Sequence, residues 1–150
     1  MTSPNCNSFE NIASTYVRVR SSNSNHHIFK HHLWQMFFRH ATMNLSADLA
    51  VLEAMCGAAD GMIILREQGL TARHYHAFDL SKTMVEAARL RFLSGHKNEQ
   101  HNTSFSIYIA DVLKTSTIAQ YDCIFLIGGL HHVYYHAAEA VANICLLLKP

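Results

Sequence analysis

Short apolar segments alternate with longer amphipathic segments along most of the chain. The apolar runs have the length of buried strands and predict β-strands at 49–54, 73–78, 105–110 and 121–127. Apolar residues at helical spacing predict helices between and after them, at 58–68, 81–93 and 135–148. Ser81 is the expected N-cap of the second helix, and the third has Val141, Ile144, Cys145 and Leu148 at helical spacing. Strands that alternate with helices in this way are typical of a parallel, doubly wound sheet with right-handed crossovers. The fold prediction is therefore α/β: a mostly parallel Rossmann-like sheet with helices on both faces.

A small or acidic residue stands at the end of each predicted strand. These residues are Glu53 and Gly57, Asp79, Asp111, and Gly128 with Gly129. In open α/β sheets, ligands bind in the crevice beyond the carboxyl ends of the strands. The small residues of the first turn, at 53–61, allow a ligand to approach the backbone and the unpaired N–H groups of the next helix. The strand ends together predict a binding site for a nucleotide-like ligand.

The acids at these strand ends favour a cationic nucleoside over a pyrophosphate. Asp79 follows the first turn by roughly 20 residues, the separation at which nucleotide-binding folds place an acid that accepts hydrogen bonds from a ribose diol. Asp111 lies one strand further, where the amino group of a purine would lie if Asp79 binds the ribose. Each acid also has a structural alternative: Asp79 as a helix cap before Ser81, Asp111 as a loop aspartate, and Glu53 as a buried acid held by N–H groups of the turn.

The chain before the first strand has a different character. Residues 1–25 are polar, and a broadly apolar helix that contains Trp34 is predicted at 26–43. We expect this helix to pack against the main body on one side. The predicted organisation is an N-terminal helical or lid segment at 1–48 and a ligand-binding domain at 49–150.

Composition narrows the class of protein. The chain has 150 residues, a formal net charge of +1 and about half apolar residues, which favours one globular domain without a strongly basic nucleic-acid surface. No apolar run approaches the roughly 20 residues that span a bilayer, and the polar start lacks the features of a signal peptide. The four cysteines form no CxxC pair, and Cys56, Cys123 and Cys145 are expected to be reduced core or near-site thiols. We therefore expect a cytoplasmic protein without nucleic-acid or membrane partners.

Histidine is unusually frequent, with 12 residues in three groups. His27 and His31 are four residues apart, a spacing that metal ligands use on a helix, but no glutamate stands between them as in zinc proteases. We therefore interpret the histidines as surface or cleft residues, and no metal site is expected.

Residues 49–150 resemble the class I S-adenosylmethionine-dependent methyltransferases. The matching segments, in the order and spacing of that family, are V-L-E-A-M-C-G-A-A-D-G at 51–61, A-F-D-L-S-K-T-M at 77–84, A-D-V-L at 110–113, Y-D-C-I-F-L-I-G-G-L-H-H-V at 121–133 and L-L-K-P at 147–150. The segment F-E-N-I-A-S-T-Y at 9–16 resembles the start of the small-molecule branch, in which an N-terminal segment closes over the cofactor.

The resemblance implies a role for each matching position. The turn would hold the methionine part of S-adenosylmethionine through Glu53, Met55, Cys56, Gly57 and Ala59. Asp79 would bind the ribose and Leu80 the adenine ring, while Asp111 and the Val112 backbone would bind the adenine amino group. Gly128 would offer its carbonyl to the ammonium group, and Tyr16 would reach the site from the N-terminal segment. His131 and His132 would face the methyl group, as a catalytic base or as walls of the pocket.

The chain departs from the family pattern in two ways. The family usually has glycine where this chain has Met55 and Ala59. It also continues with about three more strands after Leu-Lys-Pro, so we expect a sheet that is incomplete on its C-terminal side. The strand at 121–127 would then be an apolar edge, which proteins tend to cover, and a homodimer or a complementing chain across it is expected.

Two functions follow from the resemblance. The first is an S-adenosylmethionine-dependent methyltransferase that acts on a small-molecule acceptor. The alternative is a catalytically silent S-adenosylmethionine-binding module that works as a partner or regulator. A nicotinamide or other nucleotide enzyme is disfavoured, because the complete G-x-G-x-x-G turn is absent and a pyrophosphate would meet Glu53 and Asp60.

Overall fold

A computed structural model describes residues 15, 18–19, 24–40, 49–67, 72–95, 104–114 and 120–150 of the chain. Its helices are α1 (Ser24–His40), α2 (Asp60–Glu67), α3 (Lys82–Gly95), a 3₁₀ helix (Leu130–His136) and α4 (Ala137–Cys145). Its strands are β1 (Ala50–Ala54), β2 (His74–Asp79), β3 (Ser104–Ile109) and β4 (Cys123–Leu126).

The described strands form one parallel sheet in the order β3-β2-β1-β4. The register pairs Ala54 with Phe78 on one side and with Leu126 on the other, and Asp79 with Ile109. The carboxyl ends of all four strands therefore meet at one edge of the sheet. The predicted doubly wound α/β fold is confirmed, and the strand order reverses between β1 and β4, which makes that boundary the switch point of the sheet.

Helices cover both faces of the sheet. On one face, Trp34 of α1, Met62 and Ile64 of α2, and Val85 and Ala88 of α3 belong to one buried cluster with the strands. On the other face, Ala140 and Ile144 of α4 pack with Leu52, Ala54 and Phe78. Because strand side chains alternate between faces, Leu52 and Ala54 face α4, whereas Val51 faces the opposite cluster.

The last helix differs from its prediction. We expected one helix at 135–148 with Val141, Ile144, Cys145 and Leu148 at helical spacing. The structure has a 3₁₀ helix first, with a kink at Val133, and α4 ends at Cys145. The buried residues are Ala140, Ile144 and Leu147, so the prediction is confirmed for Ile144. Val141, Cys145 and Leu148 are exposed, so Cys145 is no core thiol. The two rows of residues are adjacent on the helix, and the row with the small Ala140 is the one that fits against the sheet.

Helix α1 packs against the sheet on one side, as predicted. The Trp34 side chain is 2% exposed and meets Phe125 of β4 edge to face, with ring centroids 5.0 Å apart. Ile28, Phe29, Leu33 and Met36 are exposed on the remaining surface of this helix. Of the predicted short segment at 9–16, the structure describes only Thr15, so Tyr16 lies outside the described residues.

Strand β4 is an edge of the described sheet. An isolated parallel bridge joins Tyr121 to Leu148, and the Lys149 N–H donates to the Tyr121 carbonyl at 2.9 Å. Within the described part of the chain, no strand lies beside Cys123–Leu126 on the side away from β1. No helix in the described ranges is long and apolar enough to cross a membrane.

Candidate binding site at the carboxyl ends of the strands

The turn from β1 to α2 is wound through left-handed backbone conformations. Met55, Gly57 and Ala59 have φ angles of 53°, 53° and 57°. Hydrogen bonds of 2.9 Å from Cys56 N–H to the Phe78 carbonyl and from Ala59 N–H to the Cys56 carbonyl hold the turn. A left-handed conformation costs a residue with a Cβ roughly 1–2 kcal/mol, so Met55 and Ala59 store strain that glycine would avoid.

Glu53 holds the start of α2 from within the core. Its side chain is 4% exposed and accepts hydrogen bonds from the N–H groups of Gly61 at 3.1 Å and Met62 at 3.2 Å. A Cβ on Gly61 would lie 2.8 Å from the Glu53 carboxylate, so only glycine permits this approach. The contacts favour the structural alternative for Glu53, an acid held by N–H groups of the turn, and it supports the site from below.

Tyr75 is a partner of Glu53 that sequence reasoning missed. Its hydroxyl donates to the carboxylate, and its side chain is 2% exposed. Burial, followed by the nearby Glu53 charge, raises the pKa of Tyr75, which keeps the hydroxyl protonated as a donor. The sequence shows only a tyrosine within a predicted strand. The contact with Glu53 depends on the strand register, which places Ala77, two residues after Tyr75, opposite Glu53.

Asp60 ties the turn to two other helices. Its carboxylate pairs with Lys30 of α1 and with Arg91 of α3, each at 2.6 Å. Arg91 also donates to the Ala58 carbonyl at 2.8 Å, inside the turn. Burial alone would raise the pKa of Asp60, but the charges and hydrogen bonds of Lys30 and Arg91 lower it to about 2. Lys30 and Arg91 were not predicted, because nothing in their local sequence marks the distant partner.

Asp79 stands between the turn and helix α3. One carboxylate oxygen accepts from the Gly57 N–H and the other from the Ser81 N–H, both at 2.9 Å. The Ser81 hydroxyl in turn accepts from the Met84 N–H at 3.2 Å, which makes Ser81 the predicted helix cap. Since a carboxylate has about four lone-pair sites, these bonds leave Asp79 able to accept ligand hydroxyls. Leu80 beside it is 45% exposed.

Asp111 follows β3 at the same edge of the sheet. Its carboxylate accepts from the Leu113 N–H at 3.0 Å and lies 3.2 Å from the Lys114 ammonium group. Val112 is buried, and its carbonyl accepts from the Asn143 side chain at 3.1 Å. Asn143 thus links α4 to this loop, a contact that sequence reasoning did not find.

The glycines at the edge divide into two kinds. A Cβ added to Gly57 or to Gly128 would meet nothing within 4 Å, so the backbone there borders open space. A Cβ on Gly129 would instead lie 2.7 Å from the Met55 Cβ and 2.9 Å from its sulfur. The Met55 side chain therefore extends from the end of β1 over the backbone that follows β4.

An exposed run of histidine and tyrosine follows β4. The His131 and His132 rings lie against each other with centroids 3.8 Å apart and planes tilted by 41°. Tyr134 and Tyr135 are 75% and 93% exposed. Within the described residues, no group of three or more histidine, cysteine, aspartate or glutamate side chains is placed to hold a metal ion. Burial raises the pKa of the Cys56 thiol, which makes it a poor nucleophile despite its place in the turn.

Comparisons with known proteins agree with this architecture. Residues 51–150 match the Methyltransferase domain family. The fold is similar to the YcgJ protein of Bacillus subtilis (TM-score 0.62, 20% identity, 79% of this chain and 47% of that chain). It is also similar to the Haloferax volcanii protein solved in complex with the Trm112 methyltransferase activator (TM-score 0.65, 20% identity, 95% of this chain and 56% of that chain). A third similar structure is a Thiobacillus denitrificans methyltransferase in complex with S-adenosyl-L-homocysteine (TM-score 0.54, 16% identity, 77% of this chain and 44% of that chain). A search of curated proteins finds no significant match.

The chain belongs to the Methyltransferase domain family, since the family match covers residues 51–150. It spans about half the length of the solved structures that it matches. The cofactor of this class is S-adenosylmethionine. The nucleoside end of the site fits that group, with an acid at Asp79, an exposed Leu80 and open space over Gly57.

The buried Glu53 carboxylate makes stability depend on pH. Burial, opposed by hydrogen bonds from Tyr75 and from the Gly61 N–H, raises the pKa of Glu53 from 4.5 to about 7. The folded state then holds a proton that the unfolded chain releases, so this stabilisation is complete below pH of about 4.5 and is lost as the pH rises through 7. The free energy of unfolding of the wild type should therefore fall by about 3 kcal/mol across that range, and Glu53→Gln should abolish this fall.

The measurement is urea unfolding between pH 5 and 8, followed by the fluorescence of Trp34, the only tryptophan. Glu86→Gln, at an exposed position of α3, is the matched control and should keep the wild-type slope. Equal slopes for wild type and Glu53→Gln would show that Glu53 titrates normally.

Proposed function

We propose that this domain binds S-adenosylmethionine at the carboxyl edge of the sheet and transfers its methyl group to a small-molecule acceptor. The observation that carries the proposal is the convergence of Asp79, Asp111, Gly57 and Gly128 at that edge through the strand register. The acids complement a positively charged nucleoside, and the glycines border open space for it.

The residues divide the work in this proposal. Asp79 accepts hydrogen bonds from the ribose hydroxyls, Leu80 contacts the adenine ring, and Asp111 with Val112 faces the adenine amino group. The turn and the Gly128 carbonyl hold the amino-acid end. The bound cofactor supplies a methyl group already activated on a sulfonium, so the protein mainly orients the acceptor and excludes water.

His131 and His132 take the catalytic position in the proposal. They lie in the 3₁₀ helix that comes after β4 and are exposed at the edge where the other site residues lie. Imidazole groups commonly accept protons near neutral pH, so one of them would take the proton of a hydroxyl or ammonium acceptor. The neighbouring Tyr134 and Tyr135 offer aromatic surface to an organic acceptor.

Calorimetric titration tests the cofactor site. We expect Asp79→Asn to weaken binding of S-adenosylmethionine and S-adenosylhomocysteine about 10- to 100-fold, because hydrogen bonds to a charged group contribute about 1.5–3 kcal/mol. Asp122→Asn is the matched control, since Asp122 binds Ala50 N–H and Lys149 at the opposite edge of the sheet. Its affinity should stay within two-fold of wild type. If the wild-type chain binds neither compound, the proposed cofactor site is wrong.

Turnover tests the acceptor class. The chain is incubated with labelled S-adenosylmethionine and panels of small phenols, amines, carboxylates and thiols, beside transfer RNA and unfolded protein. We expect label on a small molecule, and a loss of about 10²- to 10⁴-fold when His131 and His132 are both replaced by glutamine, with cofactor affinity unchanged. Label on a macromolecule alone would refute the small-molecule acceptor, and cofactor binding without any turnover would favour the silent module.

We also propose that a second chain pairs along β4. The outer side of Cys123–Leu126 has no neighbouring strand in the described residues, and exposed edges favour pairing. The similar Haloferax volcanii protein was solved with another chain, Trm112. Light scattering should give the mass of a dimer at micromolar concentration. A monomer at every concentration would contradict a homodimer, and a pull-down that finds no other chain would end the proposal.

A further inference from the structure

The Met55 side chain lies at the switch point of the sheet. Met55 directly follows β1, and Gly129 lies just beyond β4. These are the two neighbouring strands between which the order of the sheet reverses, and a ligand of a doubly wound sheet enters the crevice at that point. Any group bound between the ends of β1 and β4 therefore has to share this space with Met55.

The contacts of Met55 show how much of that space is filled. Its Cβ, Cγ and sulfur lie 2.7, 3.3 and 2.9 Å from the point where a Cβ on Gly129 would stand. The side chain also packs against the buried cluster on the α4 face. The open space over Gly57 and Gly128 contrasts with this filled position over Gly129. The crevice is thus open over Gly57 and Gly128, and Met55 fills the adjacent position over Gly129.

We propose that Met55 determines which part of an S-adenosyl ligand this site recognises. By lying over Gly129, its side chain restricts the amino-acid end of the ligand and leaves the nucleoside end free. The inference rests on the proposed function, because it places the amino-acid end between the turn and Gly128. Its consequence is weak discrimination between S-adenosylhomocysteine and 5′-methylthioadenosine, which has the same nucleoside but no amino-acid end.

The space filled by the Met55 side chain can be distinguished from the strain of its left-handed backbone. Both Met55 and Ala59 have left-handed φ angles, so glycine relieves backbone strain at either position. Of these two residues, only Met55 contributes atoms to the three that lie nearest to a Cβ on Gly129. Relief of strain alone should change the affinities for both ligands together, whereas removal of the Met55 side chain should change only the affinity that depends on the amino-acid end.

The experiment is calorimetric titration of wild type, Met55→Gly and Ala59→Gly with S-adenosylhomocysteine and 5′-methylthioadenosine. We expect the wild type to bind the two ligands with affinities within about ten-fold of each other. In Met55→Gly, the ratio of the affinity for S-adenosylhomocysteine to the affinity for 5′-methylthioadenosine should be at least ten-fold higher than in wild type. Ala59→Gly should leave that ratio within two-fold of the wild-type value, and thermal unfolding checks that each variant is folded.

The outcomes separate the inference from the function on which it rests. A ratio unchanged in folded Met55→Gly would overturn the inference, because the flexible thioether would then move aside without cost. An equal change in the ratio for Ala59→Gly would also overturn it, since the turn backbone rather than the Met55 side chain would be responsible. If none of the three proteins binds either nucleoside, the proposed function itself fails.

Discussion

A buried carboxylate holds the turn on which the candidate site is built. Glu53 lies at the end of the central strand β1 and binds the first N–H groups of α2, while Tyr75 of the adjacent strand donates to it from the side. The carboxylate thus fixes the angle at which α2 leaves the sheet, and Gly61 leaves the space that this contact needs. The backbone between Glu53 and α2 can adopt three left-handed residues only because both of its ends are held.

The charges around the turn are arranged in two layers. Below the binding surface, Asp60 is neutralised by Lys30 and Arg91, which connect the turn to α1 and α3. At the surface, Asp79 accepts from backbone N–H groups of the turn and of Ser81. The side chains that fix the scaffold are paired with cations or buried donors, whereas Asp79 keeps acceptor sites at the open edge. This separation permits a negative site on a chain with a net charge of only +1.

Much of the architecture was predictable because it depends on local patterns. Runs of apolar residues located all four strands, and Ser81 was recognised as a helix cap from its position before α3. The end of the chain was harder. The 3₁₀ helix before α4 and the burial of Ala140 in place of Val141 depend on how the helix meets the sheet, which periodicity within one helix cannot decide.

Local sequence patterns were sufficient to predict the order of the elements, the small residues of the first turn and the acids that follow the strands. These features are local, since each needs only the neighbouring residues along the chain. Tertiary structure alone decided which of those groups are available to a ligand. Folding buried Glu53 with Tyr75, joined Asp60 to cations that precede it by 30 residues and follow it by 31, and laid Met55 over Gly129. Such contacts arise between strands and helices distant in sequence, so the part of the crevice that stays open is a property of the packed sheet.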